Sequence, residues 1–425
     1  MIFTNAKDVI NHLYSLPKLH PKSDLSYVKQ VLAKLDNPQN KVKTIHVTGT
    51  NGKGSTSYYI SNLLQKAGQK TGLFVSPYVY EFNERIQLNG RDISDADLVV
   101  AANVLEKILK EIKEQEPAFS LVTFEYEVAL AFIFFAQEKC DYAVIEVGIG
   151  GQHDKTNVIT PEVSVITTVG LDHEKIIGPT IQDIAREKSG VIKQKRPVVL
   201  GNVPESVLSL FLQRAAEKQA PIYLLNEDFT VSNTTQMLYA DERNKFAFNS
   251  RPLVEEYDVA VAVKAFLLLQ LPLSKKLLEE AINQTIIPGR YQVLKKTPLI
   301  IADGAHNIQA ISNLLELVHT RGQRTGGRVR ILIAMMKDKD LEEVFSLFNK
   351  TDQVVLTTIN YPRAAKKEDF PCDVQMRYHY EEKWQAAFTK LKAESGKNDI
   401  LLVTGSFYLV GELLTWEVKN AGKRN

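Results

Sequence analysis

The sequence predicts an α/β protein of two domains, each built around a mostly parallel sheet. The chain has 425 residues, which is more than one hydrophobic core normally organises. Near-continuous apolar runs such as Tyr142 to Val147 and Val163 to Val169 alternate with helical stretches, as is typical of parallel strands buried on both faces. The alternation breaks at Pro288-Gly289-Arg290 and then starts afresh. We therefore expect a larger domain over residues 1–293 and a smaller one over residues 294–425.

Composition and charge argue against several classes of protein. The chain is 44% hydrophobic and 24% charged, and its net charge of +2 gives no basis for a nucleic-acid partner. Cys140 and Cys372 are too few for a disulfide framework or a multi-cysteine metal site, and they fit a reducing cytoplasm. The first residues lack the features of a signal peptide. The strongest apolar run, Val128 to Ala136, is shorter than the ~20 residues that span a bilayer, so we expect a cytoplasmic protein with no membrane partner.

The elements of the first half follow from periodicity and turn residues. Two short amphipathic helices, separated by a turn at Pro17 and Pro21, precede the first strand. Ser94 and Asp97 form a capping pattern before a helix with one apolar face. Short polar segments over Tyr223 to Ser250 predict hairpins at the edge of the first domain. The other elements predicted here are helices Thr56 to Ala67, Ile181 to Lys188, Val207 to Lys218 and Tyr257 to Leu269, and strands Lys70 to Val75 and Pro197 to Leu200.

The second half predicts a smaller sheet of Rossmann-like character. Its apolar runs are again short and separated by helical periodicity. The predicted elements are strands Leu299 to Ala302, Val329 to Met335, Val354 to Thr358 and Ile400 to Val403, and helices Ile308 to His319 and Glu382 to Lys392.

A glycine-rich turn joins the first strand to its helix and indicates a phosphate-binding loop. Small residues let backbone N–H groups converge on an anion, the helix start adds its positive dipole end, and Lys53 supplies a charge. An ordinary tight turn is the alternative, but a lysine between two glycines has little packing reason to be there. Gly54 separates Lys53 from Ser55, which departs from the usual P-loop spacing.

Polar residues follow several strands of the predicted sheets. Ser76 directly follows the second strand, Glu146 lies near the end of a buried strand, and His173 follows the next one. Oxygen ligands of Mg²⁺ are expected at these carboxyl ends of strands. The alternatives are a partly exposed glutamate and a structural histidine. Lys188 is by itself an ordinary helix-end lysine, and a capping role is the alternative for Asp303.

Taken together, these motifs resemble the folylpolyglutamate synthase branch of the Mur ligase family, whose ATP-dependent members join an amino acid to a carboxylate. The likeness covers nearly the whole chain. It rests on six segments in order: residues 46–55, Ser76-Pro77 with residues 82–86, residues 146–151, Asp172-His173, residues 303–307 and Thr404-Gly405-Ser406.

The resemblance implies a P-loop-type ATPase domain followed by a ligase domain, and it assigns roles to individual residues. It implies that Ser76 and Glu146 hold one Mg²⁺ and that His173 with Glu146 holds a second. It also implies that Lys188 is carbamylated, as in related ligases, and belongs with Lys53, Glu146 and His173 to the catalytic group. The implied ATP-binding residues are Thr50, Asn51, Gly52, Lys53, Gly54, Ser55, Arg290, Asp303 and His306, and the substrate-side residues are Ser76, Pro77, Phe82, Arg85 and Ser406.

The sequence departs from the family pattern at two places. Family members carry a Gly-x-(His or Tyr)-Gln-x-x-Asn pattern before the last helix of the first domain, whereas here Leu253 to Asp258 is shortened and ends in aspartate. Members that also make dihydrofolate tend to have arginine after the double glycine and Asp-Ala-Thr-Asn beyond it. Here Gln152 follows Gly151, and Lys155 stands in the place of that alanine.

The expected activity is therefore ATP-dependent addition of L-glutamate to the glutamate tail of a reduced folate, by a monomer. Dihydrofolate synthesis from dihydropteroate remains the alternative, alone or as a second activity. A cell-wall precursor ligase and a nucleotide-dependent switch without ligase chemistry are more distant, because a switch needs no second domain with its own polar strand ends.

Overall fold

The computed structural model describes residues 2–20, 24–233 and 236–421 of the chain. Pro21, one of the two prolines predicted between the first helices, lies outside the described residues. The fold divides into two compact units, Met1–Ser76 with Phe82–Ile286, and Pro77–Glu81 with Ile287–Asn425. The boundary between functional domains expected at residue 293 stays a prediction.

The first unit is built on an eight-stranded sheet, which confirms the predicted α/β class. Six neighbouring strands are parallel, and two short strands at one edge form an antiparallel hairpin. In chain order the strands are β1 (Lys43–Thr48), β2 (Thr71–Phe74), β3 (Ile86–Leu88), β4 (Arg91–Asp92), β5 (Tyr142–Glu146), β6 (Val163–Thr168), β7 (Val198–Asn202) and β8 (Ile222–Leu224). Their order across the sheet is β4-β3-β2-β5-β1-β6-β7-β8, so β1 lies between β5 and β6.

Helices cover this sheet, and all those predicted from periodicity are present. The capping pattern at Ser94 is confirmed, because its hydroxyl accepts the N–H of Asp97. The apolar helix around residues 128–136 is buried in the core, as predicted. The helices are α1 (Ala6–Ser15), α2 (Ser26–Lys34), α3 (Lys53–Lys66), α4 (Asp95–Gln115), α5 (Thr123–Gln137), α6 (Glu174–Ile177), α7 (Ile181–Ser189), α8 (Glu205–Glu217), α9 (Leu253–Leu268) and α10 (Lys275–Gln284).

The predicted hairpins form a sheet of their own. Strands β9 (Phe229–Asn233), β10 (Met237–Asp241) and β11 (Lys245–Phe248) pair antiparallel in a three-stranded sheet that is separate from the main one. Its strands pack against α9 and α10. The prediction of hairpins is confirmed, and the three strands form their own sheet rather than extending the main one, which ends at β8.

The second unit contains a six-stranded sheet in the order β12-β13-β17-β14-β15-β16. Only β12, at one edge, runs antiparallel to its neighbour. The strands are β12 (Gln292–Lys296), β13 (Leu299–Ala302), β14 (Val329–Ile333), β15 (Gln353–Thr358), β16 (His379–Lys383) and β17 (Ile400–Thr404), and the helices are α11 (Ile308–Thr325), α12 (Leu341–Ser346), α13 (Cys372–Arg377), α14 (Trp384–Glu394) and α15 (Phe407–Ala421). The predicted helix from residue 382 begins later, because residues 379–383 form β16.

A five-residue segment that follows β2 belongs to the second unit. We call Pro77–Glu81 the strap. Val79 packs against the apolar cluster under α14 and α15, and a methyl group at Gly411 of α15 would overlap the carbonyl of Val79. The strap backbone therefore approaches α15 as closely as a glycine allows.

No helix within the described residues is long and apolar enough to cross a membrane.

Candidate active site

The glycine-rich loop runs from the end of β1 to the start of α3. Gly52 precedes the helix with φ +82°, a left-handed conformation that favours glycine, and a side chain there would overlap the carboxylate of Asp258 on α9. Asp258 is buried, and the Thr56 hydroxyl donates to its backbone carbonyl at 3.5 Å. The aspartate noted as a departure in the sequence thus lies against the phosphate-binding loop.

The loop is held by the end of β6 through two residues that the sequence did not single out. The Asn51 N–H donates to the Thr168 hydroxyl at 2.9 Å, and the Thr167 hydroxyl donates to the Asn51 carbonyl at 2.5 Å. The Thr50 hydroxyl donates to the Gly170 carbonyl at 3.0 Å. Two adjacent hydroxyl residues at the end of an apolar strand were the available signal, and they fix the loop before any ligand enters.

Lys53 lies within its own loop. Its Nζ donates to the carbonyl oxygens of Gly49 at 2.8 Å and Thr50 at 3.2 Å. A compact ammonium on a flexible stem can exchange these carbonyls for phosphate oxygens without a change of backbone.

Glu146 places a buried carboxylate beside the loop. It ends β5, is 3% exposed, and accepts the backbone N–H of Ser76 at 2.9 Å. Its carboxylate lies 3.6 Å from where a side chain at Gly54 would begin. The structure therefore brings together three of the predicted positions: the loop, Ser76 and Glu146. The strands do this because β1, β2 and β5 are neighbours whose carboxyl ends share one edge.

His173 lies at the end of the loop that follows β6, as predicted. It precedes α6 with φ 55°, its side chain is 40% exposed, and its Nε2 is 3.7 Å from Asp172 Oδ2. Among the described residues, no three or more acidic, histidine or cysteine side chains form a metal site of their own. The carboxylate of Glu146 and the hydroxyl of Ser76 nevertheless fit Mg²⁺, which binds proteins through one or two hard oxygen ligands plus water and phosphate.

Lys188 is enclosed by the fold near the end of α7. Burial, reinforced by the charge of Lys53, lowers the pKa of Lys188 to about 7, against the opposing pull of Asp172, Glu187 and Asp154. Gly151 lies against the backbone of Lys188. A Cβ atom added at Gly151 would be only 3.0 Å from the Cα of Lys188. The interpretation of Lys188 as an exposed helix-end lysine is therefore wrong.

Asp154 organises the loop after β5. The carboxylate is buried and accepts the N–H of Ile149 at 2.9 Å and the N–H of Thr156 at 3.0 Å. The Thr156 hydroxyl is also 2.8 Å from Nε2 of His46, whose pKa burial lowers to about 3, so the imidazole is neutral. This network fixes the double-glycine turn that reaches Lys188.

The predicted substrate-side residues fall into different environments. Phe82 is buried in the core of the first unit, and Arg85 lies 3.4 Å from the buried carboxylate of Glu127, whose pKa burial raises. Pro77 belongs to the strap of the second unit. Ser406 is buried and its hydroxyl accepts the N–H of Tyr408 at 3.1 Å, a capping arrangement at the start of α15.

The remaining predicted ATP-binding residues lie together in the second unit. Asp303 follows β13, is 2% exposed, and accepts the N–H of Tyr291 at 2.9 Å and that of Ala305 at 2.7 Å. Asp303 thereby links two segments, the loop that contains Arg290 and the turn that contains His306. The Nδ1–H of His306 donates to the Gly304 carbonyl at 2.8 Å, which fixes the orientation of the ring.

A glycine-rich loop with its lysine at a helix start, beside a buried strand-end carboxylate, defines a phosphate-binding α/β protein. Residues 47–261 match the Mur ligase middle domain, and residues 289–407 match the Mur ligase glutamate ligase domain. The chain is 32% identical over 424 residues to the folylpolyglutamate synthase of Lacticaseibacillus casei, covering 95% of this chain and 97% of that one.

Two solved structures extend this likeness to three dimensions. E. coli FolC in complex with DHPP and ADP superposes with a TM-score of 0.88 at 26% identity, covering 99% of both chains. The bifunctional folylpolyglutamate synthase/dihydrofolate synthase of Yersinia pestis, complexed with AMPPNP and a Mn ion, gives a TM-score of 0.87 at 26% identity, covering 97% of this chain and 98% of that one.

The chain belongs to the Mur ligase family, in its folylpolyglutamate synthase branch. It is an ATP-dependent ligase.

Proposed function

We propose that this ligase adds L-glutamate to the glutamate tail of a reduced folate through an acyl phosphate, releasing ADP and phosphate. The observation that carries the proposal is the buried carboxylate of Glu146, bonded to Ser76 beside the lysine-bearing loop. This arrangement suits activation of a carboxylate by phosphoryl transfer, because that reaction needs charge neutralisation and positioning rather than a protein nucleophile.

In the first step, a substrate carboxylate oxygen bonds to the γ-phosphorus of ATP while the bond to the bridging oxygen breaks and ADP leaves. Residues 50–55 bind the phosphates, with Lys53 moving from the carbonyls of Gly49 and Thr50 to the outer phosphates. In the second step, the glutamate amine bonds to the acyl carbon, phosphate leaves with the C–O electron pair, and the nitrogen loses a proton.

Two Mg²⁺ ions belong to the proposal, one held by Ser76 and Glu146 and a second by His173 with Glu146. They supply neutralisation of charge on the transferring phosphoryl group. The position of the Glu146 carboxylate beside the glycine-rich loop supports the first ion, since Mg²⁺ is usually bound through one or two carboxylates together with substrate phosphates.

Carbamylation of Lys188 is part of the same proposal. A neutral amine bonds to the carbon of CO₂ and loses a proton, giving a negatively charged carbamate. The pKa of about 7 makes half of the amine neutral at that pH, whereas an ordinary lysine at pKa 10.5 is almost wholly charged. The nearby charge of Lys53 favours the anionic product.

Arg290, Asp303 and His306 are further proposed nucleotide contacts, and all three belong to the second unit. The backbone bonds of Asp303 support a positioning role for its carboxylate, with Arg290 and His306 meeting the ligand. We further propose that the enzyme acts as a monomer on its small-molecule substrates.

The test uses purified chain with ATP, Mg²⁺, L-glutamate and a reduced folate. We expect ADP, phosphate and a folate longer by one glutamate, detected by mass spectrometry. Hydrolysis of ATP that is independent of glutamate, with no longer folate, would contradict the proposal.

Dihydrofolate synthesis is the second candidate, because the Yersinia pestis relative is described as bifunctional. In this chain the Nζ of Lys155 donates a hydrogen bond to the Asp24 carbonyl at 2.6 Å and lies 3.3 Å from the buried carboxylate of Glu125. The Lys155 side chain is therefore held against the start of α5. We therefore favour chain extension. Replacing the folate by dihydropteroate in the same assay distinguishes the two activities.

A further inference from the structure

One aromatic ring of the second unit lies against two of the proposed ATP-binding residues, Arg290 and His306. Phe407 is the first residue of α15 and is only 9% exposed. The guanidinium carbon of Arg290 lies 4.5 Å from its ring centroid, and the His306 ring meets it edge to face at 6.0 Å between centroids. The ring also lies against Gly304, where an added side chain would come within 2.5 Å of it.

These contacts restrict the side chains that surround the ring. A guanidinium is attracted to an aromatic face, and this attraction strengthens as water is excluded. Arg290 is half-buried, so the ring removes much of the rotational freedom that its long side chain would otherwise keep. His306 is held from two sides, by Phe407 and by its own bond to the Gly304 carbonyl.

Phe407 is itself fixed by elements that do not depend on a ligand. It continues directly from β17 through the turn that ends in Ser406, whose hydroxyl caps the helix at the Tyr408 N–H. Its orientation therefore derives from the sheet and from α15. A ring held in this way can set the orientation of Arg290 before a ligand arrives.

We propose that Phe407 is a positioning residue for nucleotide binding, whose ring holds Arg290 and His306 in the orientation in which they contact ATP. This inference rests on the proposed function, which gives those two residues their role. Phe407 acts through them and takes no part in the chemistry.

The test replaces the ring by an aliphatic side chain of comparable bulk, Phe407→Leu. We expect the KM for ATP to rise about 3- to 30-fold, the range given by the loss of one partly desolvated cation–π contact. The KM values for the folate and for glutamate should change less than twofold, and kcat should change less than the KM for ATP.

Phe388→Leu is the matched control. Phe388 is a buried ring of the same unit, on α14, and it carries Lys392 at 5.2 Å from its centroid. This change should lower the Tm at least as much as Phe407→Leu without raising the KM for ATP. Should Phe407→Leu fail to unfold cooperatively, Phe407→Met serves in its place.

A double-mutant cycle with Arg290→Met decides whether the effect passes through the arginine. We expect Phe407→Leu to add little to the KM for ATP once Arg290 is gone. Full additivity, an unchanged KM for ATP, or an equal rise for all three substrates would overturn the inference.

Direct titration with Mg²⁺ and ADP separates this inference from the proposed function. If the wild-type chain binds ADP but forms no longer folate, the proposed activity fails while the inference is still tested by weaker ADP binding in Phe407→Leu. If ADP binds equally to both chains, the inference fails whatever the activity.

Discussion

Lys188 is the residue whose chemistry depends most on its surroundings. Its pKa is about 7 in the folded chain and 10.5 when exposed, so between these values the unfolded chain binds more protons. Lys188 therefore makes the free energy of unfolding rise with pH between about 7 and 10.5. The destabilisation caused by burying its amine is greatest below pH 7. In CO₂-free buffer, Lys188→Met should raise the Tm at pH 7 by roughly 3–8 °C, and by less at pH 10.

The control for this pH series is Lys107→Met, on the exposed side of α4. It should give the same small change in Tm at both pH values. A Tm gain in Lys188→Met that does not shrink as the pH rises would contradict the assignment of a buried amine with a lowered pKa.

Glu146 gives a second prediction for a single residue. Glu146→Gln keeps the shape and an oxygen for the Ser76 N–H but removes the charge, so kcat should fall by about 100-fold or more with little loss of Tm. Steady-state kinetics with varied Mg²⁺ and thermal unfolding measure this. Glu106→Gln, a buried carboxylate bonded to the Tyr126 hydroxyl, is the control and should leave kcat near wild type. An active Glu146→Gln would remove Glu146 from the proposed metal site.

Individual residues also show where sequence patterns reach their limit. The loop lysine and the strand-end carboxylate were predictable, because a lysine between two glycines and a charge at the end of an apolar strand each indicate a ligand. The closeness of Asp258 to Gly52 was not, since 206 residues separate them in the chain and only the packing of α9 on α3 joins them. The burial of Lys188 likewise depends on the Gly151 turn rather than on its own helix.

Elements with strong periodicity were predicted, and those at the edges were not. The central strands of both sheets are apolar and short, which makes them recognisable from the sequence. In contrast, β12 and β16 are polar edge strands whose pairing is decided by neighbours distant in the chain. The three-stranded sheet was visible as hairpins, but nothing local to β9–β11 specified that they form a sheet separate from the main one.

The strap offers a test at the level of elements. Gly411→Ala on α15 places a methyl group in the space of the Val79 carbonyl, so the strap must move away from the helix. We expect faster amide hydrogen exchange over residues 78–81 and a Tm lower by several degrees, although alanine favours a helix. Gly322→Ala in α11 is the control, because its nearest side-chain neighbour is the movable Val329 at 3.2 Å. Unchanged exchange in the strap would show that the close approach is not needed.

For the whole molecule, nucleotide binding should raise the temperature at which the chain unfolds. A ligand that binds only the folded chain stabilises it by about 2.7 kcal/mol at 100 times its Kd, which corresponds to roughly 5–10 °C in Tm for domains of this size. We expect such a shift with ADP and Mg²⁺ in thermal unfolding and a much smaller one in Lys53→Met. Equal shifts in both chains would mean that the glycine-rich loop does not bind the phosphates.

The strap also bears on the order in which the chain can fold during synthesis. Residues 77–81 leave the ribosome 206 residues before residue 287, where the rest of their own unit begins. At about 5–20 residues per second, that interval is roughly 10–40 s. During it the first unit can complete its sheet while the link between Ser76 and Phe82 still lacks its packing surface. The segment that joins Ser76 to Arg85 thus acquires its final place only after α15 has been synthesised, because the strap packs against that helix.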